Sequence, residues 1–238
     1  MTRNHARIIG VVYLIFFLTS ILSDALLKGL VHTDAAATAT QVLTHESRFR
    51  LAVAAGLVET GFYVALTALL YDLFKPVSLR LSLIAAFFGL VGCAIQAVGS
   101  AFQLFSLLVL RDGQAVAVFR PEQLSSMALL FLKLNDQAGN VALVFFAVYC
   151  LLIGCLILAS IFLPRFLGAL MVLAGLGWLT FLYAPLADHL SPYIELLGIV
   201  AEASLMLWLL VMGVNAERWR EQAETLGSSS HTAHKKSS

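Results

Sequence analysis

The apolar positions of this chain fall into long continuous runs, not into the two-residue alternation of strands or the narrow stripe of a soluble helix. A helix needs about 20 predominantly apolar residues to cross a bilayer. The pattern therefore predicts an all-α fold, a polytopic membrane helix bundle with six transmembrane helices. The predicted spans are residues 8–27, 49–71, 79–110, 138–160, 166–183 and 193–214.

Two shorter segments are predicted to be helical without crossing the membrane. Asp34 precedes an alanine- and threonine-rich stretch, which is a helix-start signal and indicates a short surface helix over residues 35–44. Pro121 occupies a favoured first helical position, so residues 123–134 are interpreted as an amphipathic or protruding helix. A cluster of polar residues between Lys133 and Asn140 separates this helix from the fourth span.

The remaining polar segments are interpreted as a loop and a tail. Residues 185–192 begin and end with proline and are predicted to be a loop before the last span. Residues 1–216 are expected to form the membrane domain. Residues 217–238 are too polar to build a core and are predicted to be a disordered cytoplasmic tail.

The composition places the chain in the membrane class and excludes several others. Of its 238 residues, 60% are hydrophobic and 12% are charged, whereas soluble domains carry about 25% charged residues. A formal net charge of +1 argues against a nucleic-acid partner. The three cysteines lie inside apolar runs without a C-x-x-C pair, so they are interpreted as packing residues: Cys93, Cys150 and Cys155.

The distribution of Lys and Arg predicts the orientation of the helices. Positive residues concentrate in cytoplasmic segments, and the bias is most reliable in short loops. Nine lie in the termini and the two short even-numbered loops, against six on the other side, where the connections are longer. Both termini are therefore expected in the cytoplasm, and the bilayer is the first expected partner.

Three polar residues lie near the middle of predicted spans. Glu59, Gln96 and Glu202 are at similar depth on the second, third and sixth spans. An ionised side chain at that depth costs roughly 2.5–3.5 kcal/mol, so each should face protein or water. We expect at least one of the two acids to be protonated at neutral pH, and a partner for Glu202 on the second or third span. Further candidates at helical spacing are Tyr63, Gln103 and Asn140.

Three roles remain open for this polar cluster. It could bind a small molecule or an ion in a proton-linked transporter. It could instead hydrogen-bond helix to helix, the more frequent use of such residues, in a non-catalytic membrane protein that docks a protein partner or a second copy of itself. An intramembrane enzyme acting on a lipid is the third role.

The chemistry-bearing motifs of known enzyme classes are missing from the sequence. It has no Walker loop, no G-x-S-x-G and no H-E-x-x-H. The histidines all fall in predicted termini or loops, where they would not ligate an intramembrane haem or zinc ion. We therefore predict no metal site, no cofactor and no catalytic residue.

An ordered series of short segments resembles the bacterial domain-of-unknown-function family 4386 (DUF4386). The matching segments are ARIIGVVYL from Ala6, DAAAT from Asp34, FRL from Phe49, LFKPV ending at Val77, LLFL from Leu129, VFF from Val144, LPRFLG from Leu163 and AEASLMLWLL from Ala201. The resemblance implies a multi-pass protein of the bacterial cytoplasmic membrane without an established activity. Family members often carry histidine where this chain has Asn135 and Tyr149, so a metal or cofactor role of those histidines is not expected here.

Overall fold

A computed structural model describes residues 2–111 and 118–235, and the described part of the chain is helical without strands. Six of its helices are long and apolar enough to cross a membrane, which confirms the predicted all-α polytopic fold. The helices are α1 (Arg3–Leu27), α2 (Ala35–Thr44), α3 (Glu46–Phe74), α4 (Leu79–Arg111), α5 (Pro121–Ala159), α6 (Arg165–Trp178), α7 (Ala184–Val211) and α8 (Ala216–Lys235).

The surface of the spanning helices is apolar over much of its area. Large aliphatic and aromatic side chains are exposed along each span, including Ile21 on α1, Phe87 on α4 and Leu173 on α6. A soluble monomer rarely exposes contiguous apolar surface on this scale. These side chains are therefore the ones that contact lipid in a multi-pass membrane protein.

The chain divides into two compact units. Unit 1 combines the residues up to Leu14 with Val64–Gly92 and the chain from Leu143 onward, and unit 2 combines Ile15–Tyr63 with Cys93–Ala142. Each of the long helices α1, α3, α4 and α5 contributes residues to both units. Unit 2 has a buried apolar cluster made by Leu30, Val42, Phe49, Val53, Leu107 and Leu132.

Local capping explains why α2 has the predicted bounds. The Asp34 carboxylate accepts a hydrogen bond from the Ala37 backbone N–H at 2.7 Å, which satisfies one of the free donors of the first turn. The Thr38 hydroxyl donates to the Asp34 carbonyl and is buried. The predicted N-cap and the predicted range of this helix are both confirmed.

The predicted break before the fourth span is wrong. Residues 123–134 and 138–160 belong to one continuous helix, α5, which begins at Pro121 as expected. Polar side chains between Lys133 and Asn140 do not interrupt the helix because their backbone N–H and C=O groups still bond along it. The polar side chains therefore indicate polar surroundings of α5 and not an end of the helix.

The predicted loop over residues 185–192 is also wrong, since α7 begins at Ala184 and includes both prolines. Pro185 lies in the first turn, where its missing N–H has no intrahelical partner to lose. Pro192 removes one hydrogen bond inside the helix. Before α7, α6 ends earlier than predicted, and a 3₁₀ turn, Leu179–Leu182, completes the fifth span.

The polar tail, predicted to be disordered, forms α8. The Asn215 side chain accepts hydrogen bonds from the backbone N–H groups of Glu217 and Arg218, both at 3.1 Å, and so caps the helix. Within unit 1, the Trp219 indole N–H donates to the Leu73 carbonyl at the end of α3 at 2.9 Å. The amino-acid composition of the tail does not indicate long-range contacts of this kind.

Candidate functional site

Glu59 lies in unit 2 beside two polar residues of α1. Its side chain is half-buried, and Ser20 lies close enough for its hydroxyl to interact with the carboxyl group. Asp24, one turn beyond Ser20, lies close enough to interact electrostatically with the same carboxyl. The buried thiol of Cys93 on α4 is also within electrostatic range of Glu59. Glu59 and Asp24 are therefore neighbouring acids of unit 2, and the sequence did not indicate that they lie close together.

A cavity of about 430 Å³ opens next to Asp24, and we call it the acidic cavity. Helices α1, α4 and α5 and the residues that follow α1 supply its walls. It contains two carboxyl groups, two side-chain amides and one ammonium group, together with apolar and glycine positions. Its lining residues are Asp24, Leu27, Lys28, Gly29, Val31, Gln103, Leu132, Asn135 and Asp136.

Helical spacing brings the polar lining together. Asp24 and Lys28 are four residues apart on and just after α1, so they lie on one side. Leu132 is three and four residues before Asn135 and Asp136 on α5. The Asn135 amide N–H donates to the Asp136 carboxylate at 3.5 Å. The polar segment that was predicted to end a helix instead forms one wall of the acidic cavity.

A glycine allows α4 to approach α5 beside this wall. A Cβ added at Gly99 would lie 3.1 Å from the Asn135 Oδ1 atom and 3.3 Å from the Ala138 Cβ. Gln103 is one turn further along α4 and lines the acidic cavity.

A second cavity of about 530 Å³ is adjacent to the acidic cavity in unit 2. The two share the lining residues Val31, Leu132 and Asp136. Lys133 contributes an ammonium group to this second cavity, so Asp136 lies at the boundary between an acidic region and a basic one.

The other predicted site residues of unit 2 are placed as follows. Tyr63 is buried, and its ring packs edge-on against Phe16 with centroids 4.9 Å apart. Gln96 is half-buried on α4, and its backbone carbonyl accepts a hydrogen bond from the Ser100 hydroxyl at 3.3 Å. Asn140 is half-buried on α5, one turn after Asp136. Of the six predicted residues, Gln103 is the one that lines the acidic cavity.

Glu202 belongs to unit 1 and has its own hydrogen-bond partner there. The Tyr13 hydroxyl of α1 donates to the Glu202 Oε2 atom at 3.0 Å, and Tyr13 is buried. Close packing of α1 and α7 supports this contact: a Cβ added at Gly10 would lie 2.5 Å from the Leu210 backbone nitrogen. The partner was predicted on the second or third span, so the structure corrects this prediction to the first.

Sequence reasoning missed Ser20, Asp24 and Tyr13 as site residues for one reason. All three lie on the first span, which was interpreted only by its apolar length. Their spacing was a usable signal, because Ser20 and Asp24 are four residues apart and therefore share a face. Across the described residues, no three His, Cys, Asp or Glu side chains are grouped to hold a metal ion.

Comparison with curated proteins and with solved structures gives no match to this chain. A family model, described as "Domain of unknown function (DUF4386)", matches residues 8–213. That range includes the acidic cavity of unit 2 and both residues of the Tyr13–Glu202 contact. Because the match extends over most of the chain, this multi-pass membrane protein belongs to the DUF4386 family, as its ordered sequence segments predict.

Proposed function

We propose that this protein carries protons or a small cationic solute across the membrane, with the acidic cavity as its binding site. The observation that carries the proposal is the convergence of Asp24, Gln103, Asn135 and Asp136 from three helices on one cavity. Polar and ionisable residues inside membrane spans are costly, and they commonly mark substrate or ion pathways. The cavity lies beside Glu59, the midspan acid of the same unit.

The chemistry of the lining favours a cation. Carboxylate and amide oxygens are ligands for hard cations and hydrogen-bond acceptors for a protonated amine. Asp24, Asp136 and the neighbouring Glu59 carry three negative charges when ionised, against two positive charges on Lys28 and Lys133. A bound cation would also reduce the repulsion between Asp24 and Glu59. The acidic cavity is therefore suited to a solute of about the size of a small amine, or to a hydrated monovalent ion.

Glu59 is the best candidate for a proton carrier in this scheme. It is placed near the middle of its span, and it is connected to the cavity through Ser20 and Asp24 on α1. A carboxyl group in that position can exchange its proton for a cation that arrives beside Asp24. Glu202, hydrogen-bonded to Tyr13 in unit 1, is a second position at which a proton could be held.

Binding can be tested on the purified full-length chain in lipid nanodiscs. Methylammonium, sodium and potassium chlorides are compared at constant ionic strength by the midpoint of thermal unfolding. A cation that binds only the folded state at ten times its Kd stabilises that state by about 1.4 kcal/mol. We expect stabilisation by at least one of these cations, and its loss in Asp24→Asn/Asp136→Asn.

The matched control is Glu122→Gln, which removes an exposed acid from the first turn of α5, away from the cavity lining. This variant should keep the cation effect of the wild type. Equal stabilisation in the control and in the double cavity variant would mean that the effect is non-specific. No stabilisation by any of the three cations would contradict the binding site.

Transport is tested separately with proteoliposomes that contain a pH-sensitive dye. An imposed gradient of the stabilising cation should drive proton movement in the wild type. Glu59→Gln keeps the size and hydrogen-bonding capacity of the side chain but cannot ionise, so it should bind the cation and fail to couple it to protons. Unchanged proton movement in Glu59→Gln would exclude Glu59 as the carrier. Cation binding without any flux would favour a non-catalytic, regulatory role.

A further inference from the structure

Two arginines of unit 2 meet at one end of α3 and α4. The Arg50 Nε donates to the Glu46 Oε1 atom at 2.6 Å, and the Arg111 Nη1 donates to the same oxygen at 3.0 Å. Arg50 and Glu46 lie in the first turns of α3, and Arg111 is the last residue of α4. The three charged groups are therefore fixed where these two spans end, at one surface of the membrane.

The charges of this group do not balance. Two guanidinium groups share one carboxylate, which leaves one positive charge in excess when all three are ionised. Each guanidinium has five N–H donors in a planar fork, and one donor of each is directed at Glu46. The Arg50 and Arg111 side chains are 50% and 56% exposed, so further donors are accessible from outside. The pair is suited to an anion with several oxygen acceptors.

An apolar groove leads away from the two arginines along α4. A cavity of about 430 Å³ is lined by Arg50 and Arg111 together with Leu104, Leu107 and Leu108. Leu107 is buried and forms the floor, whereas Leu104 and Leu108 are 41% and 56% exposed. These leucines are one and two turns inside α4, so they are deeper in the apolar part of the span than Arg111. One surface therefore offers cationic donors at the membrane surface and aliphatic contacts below them.

We propose that this groove binds one anionic phospholipid. Its phosphate would accept hydrogen bonds from Arg50 and Arg111, and one acyl chain would pack on Leu104 and Leu108. The excess positive charge favours a headgroup with net negative charge over a zwitterionic one, since a zwitterion brings its own cation beside the guanidinium groups. This site is separate from the acidic cavity, because the two share no lining residue.

Native mass spectrometry of the full-length chain measures the binding with named lipids. Phosphatidylglycerol is compared with phosphatidylcholine of the same acyl chains, and inorganic phosphate is added in a third sample. We expect phosphatidylglycerol to bind the wild type more tightly than phosphatidylcholine does, with weakening as salt rises. Arg50→Gln/Arg111→Gln should lower the phosphatidylglycerol affinity on the order of thirtyfold, since each basic residue near a lipid surface contributes roughly fivefold.

The control pair is Arg80→Gln/Arg120→Gln, which removes the same charge from exposed positions outside this groove. It should retain most of the phosphatidylglycerol affinity. An equal loss in the control pair would show a general charge effect and overturn the proposal. If inorganic phosphate bound the wild type as tightly as phosphatidylglycerol does, the assignment to a lipid would be overturned.

Glu46→Gln separates lipid binding from a purely structural ion pair, and it keeps the test valid if the double arginine variant does not fold. Neutralising Glu46 weakens its bonds to both guanidinium groups, because a neutral amide oxygen is a poorer acceptor than a carboxylate, and it raises the excess charge of the group. A lipid site predicts tighter phosphatidylglycerol binding in Glu46→Gln than in the wild type. Unchanged or weaker binding in this variant would mean that the arginines serve only to hold Glu46.

Discussion

Glu202 shows how a single acid is accommodated in an apolar helix. Its carboxyl group accepts a hydrogen bond from the buried Tyr13 hydroxyl at 3.0 Å, across the contact between α1 and α7. Ser23 illustrates the same rule in unit 2, since its hydroxyl donates to the Ala52 carbonyl of α3 at 3.1 Å. Without water in the bilayer core, polar groups are satisfied by neighbouring helices.

Removing either member of the Tyr13–Glu202 pair should destabilise the fold. Interhelical hydrogen bonds in membrane proteins contribute about 0.6 kcal/mol on average and up to about 1.7 kcal/mol. We expect Tyr13→Phe to lower the free energy of unfolding within that range, and Glu202→Leu to lower it at least as much. Glu202→Gln retains an acceptor oxygen and should stay close to the wild type. Steric trapping or detergent unfolding provides the measurement.

Glu195→Gln is the matched control, because Glu195 is exposed on the same helix two turns earlier. It should be neutral for stability. If Glu202→Leu were as stable as the wild type, the contact with Tyr13 would not hold α1 against α7. The pair would then be a consequence of packing and not one of its causes.

At the scale of elements, glycines determine how closely α5 and α6 approach. A Cβ added at Gly154 would lie 2.8 Å from the Val172 backbone nitrogen and 2.9 Å from the Gly168 carbonyl oxygen. Close approach of backbones at small residues is a main source of helix association in membranes. Backbone atoms cannot move aside without displacing a whole helix.

Gly154→Ala should therefore separate α5 from α6 and destabilise the protein by roughly 1–3 kcal/mol, the usual cost of overpacking. The matched control is Gly139→Ala on the same helix, where no atom lies within 4 Å of the added Cβ. There alanine improves helix propensity by up to about 1 kcal/mol, so the control should be neutral or stabilising. A Gly154→Ala variant as stable as Gly139→Ala would contradict the close contact.

The anchoring of α8 in unit 1 depends on the ends of two other helices. The Trp219 indole N–H binds the Leu73 carbonyl, and the Gln222 amide donates to the Ala159 carbonyl at 3.3 Å and accepts from the Ile161 N–H at 3.1 Å. The last carbonyls of a helix lack intrahelical donors. The tail helix therefore satisfies groups that α3 and α5 leave open.

Loss of these anchors should release α8 without unfolding the spans. We expect Trp219→Phe/Gln222→Ala to increase hydrogen exchange of the α8 amides while those of α7 stay protected. The double change should cost about 1–3 kcal/mol of local stability, since each lost hydrogen bond contributes about 1 kcal/mol. As a control, Glu221→Ala alters an exposed position of α8 and should leave the exchange unchanged. Equal exchange in all three proteins would show that α8 is held by other contacts.

At the scale of the whole molecule, the six candidate spans define a topology that can be tested directly. With both termini on the cytoplasmic side, a reporter fused after Asp188 should respond outside and one fused after Gly227 should respond inside. Six spans and the Lys and Arg bias together predict this result. Responses from the same side at both positions would contradict the span count between them.

The same predicted topology would put α2 and the beginning of α5 on the non-cytoplasmic side. Single cysteines at Thr40 on α2 and Ser125 on α5 should react with a membrane-impermeant maleimide in cells permeable only at the outer membrane. The native cysteines Cys93, Cys150 and Cys155 are first replaced by alanine, and that background protein should not be labelled. Protection of both engineered positions would reverse the predicted orientation.

The sequence by itself determined the features that depend on local chain chemistry. The number of spans follows from the length of apolar runs, because a helix of about 20 apolar residues is what a bilayer accepts. The start of α5 at Pro121 and the Asp34 cap of α2 follow from the geometry of helix ends. These signals act within one turn of the chain, so no other element is needed to interpret them.

Only the tertiary structure decided what the polar residues do. Polarity between Lys133 and Asn140 suggested a break, yet α5 continues because backbone hydrogen bonds do not depend on side-chain polarity. Depth in the membrane suggested that Glu59 and Glu202 share a site, but their observed contacts lie in different compact units, with Asp24 in one and Tyr13 in the other. Periodicity specifies the depth and face of a side chain along one helix. Its contact is set by the neighbouring helix, whose rotation and distance depend on packing across the whole bundle.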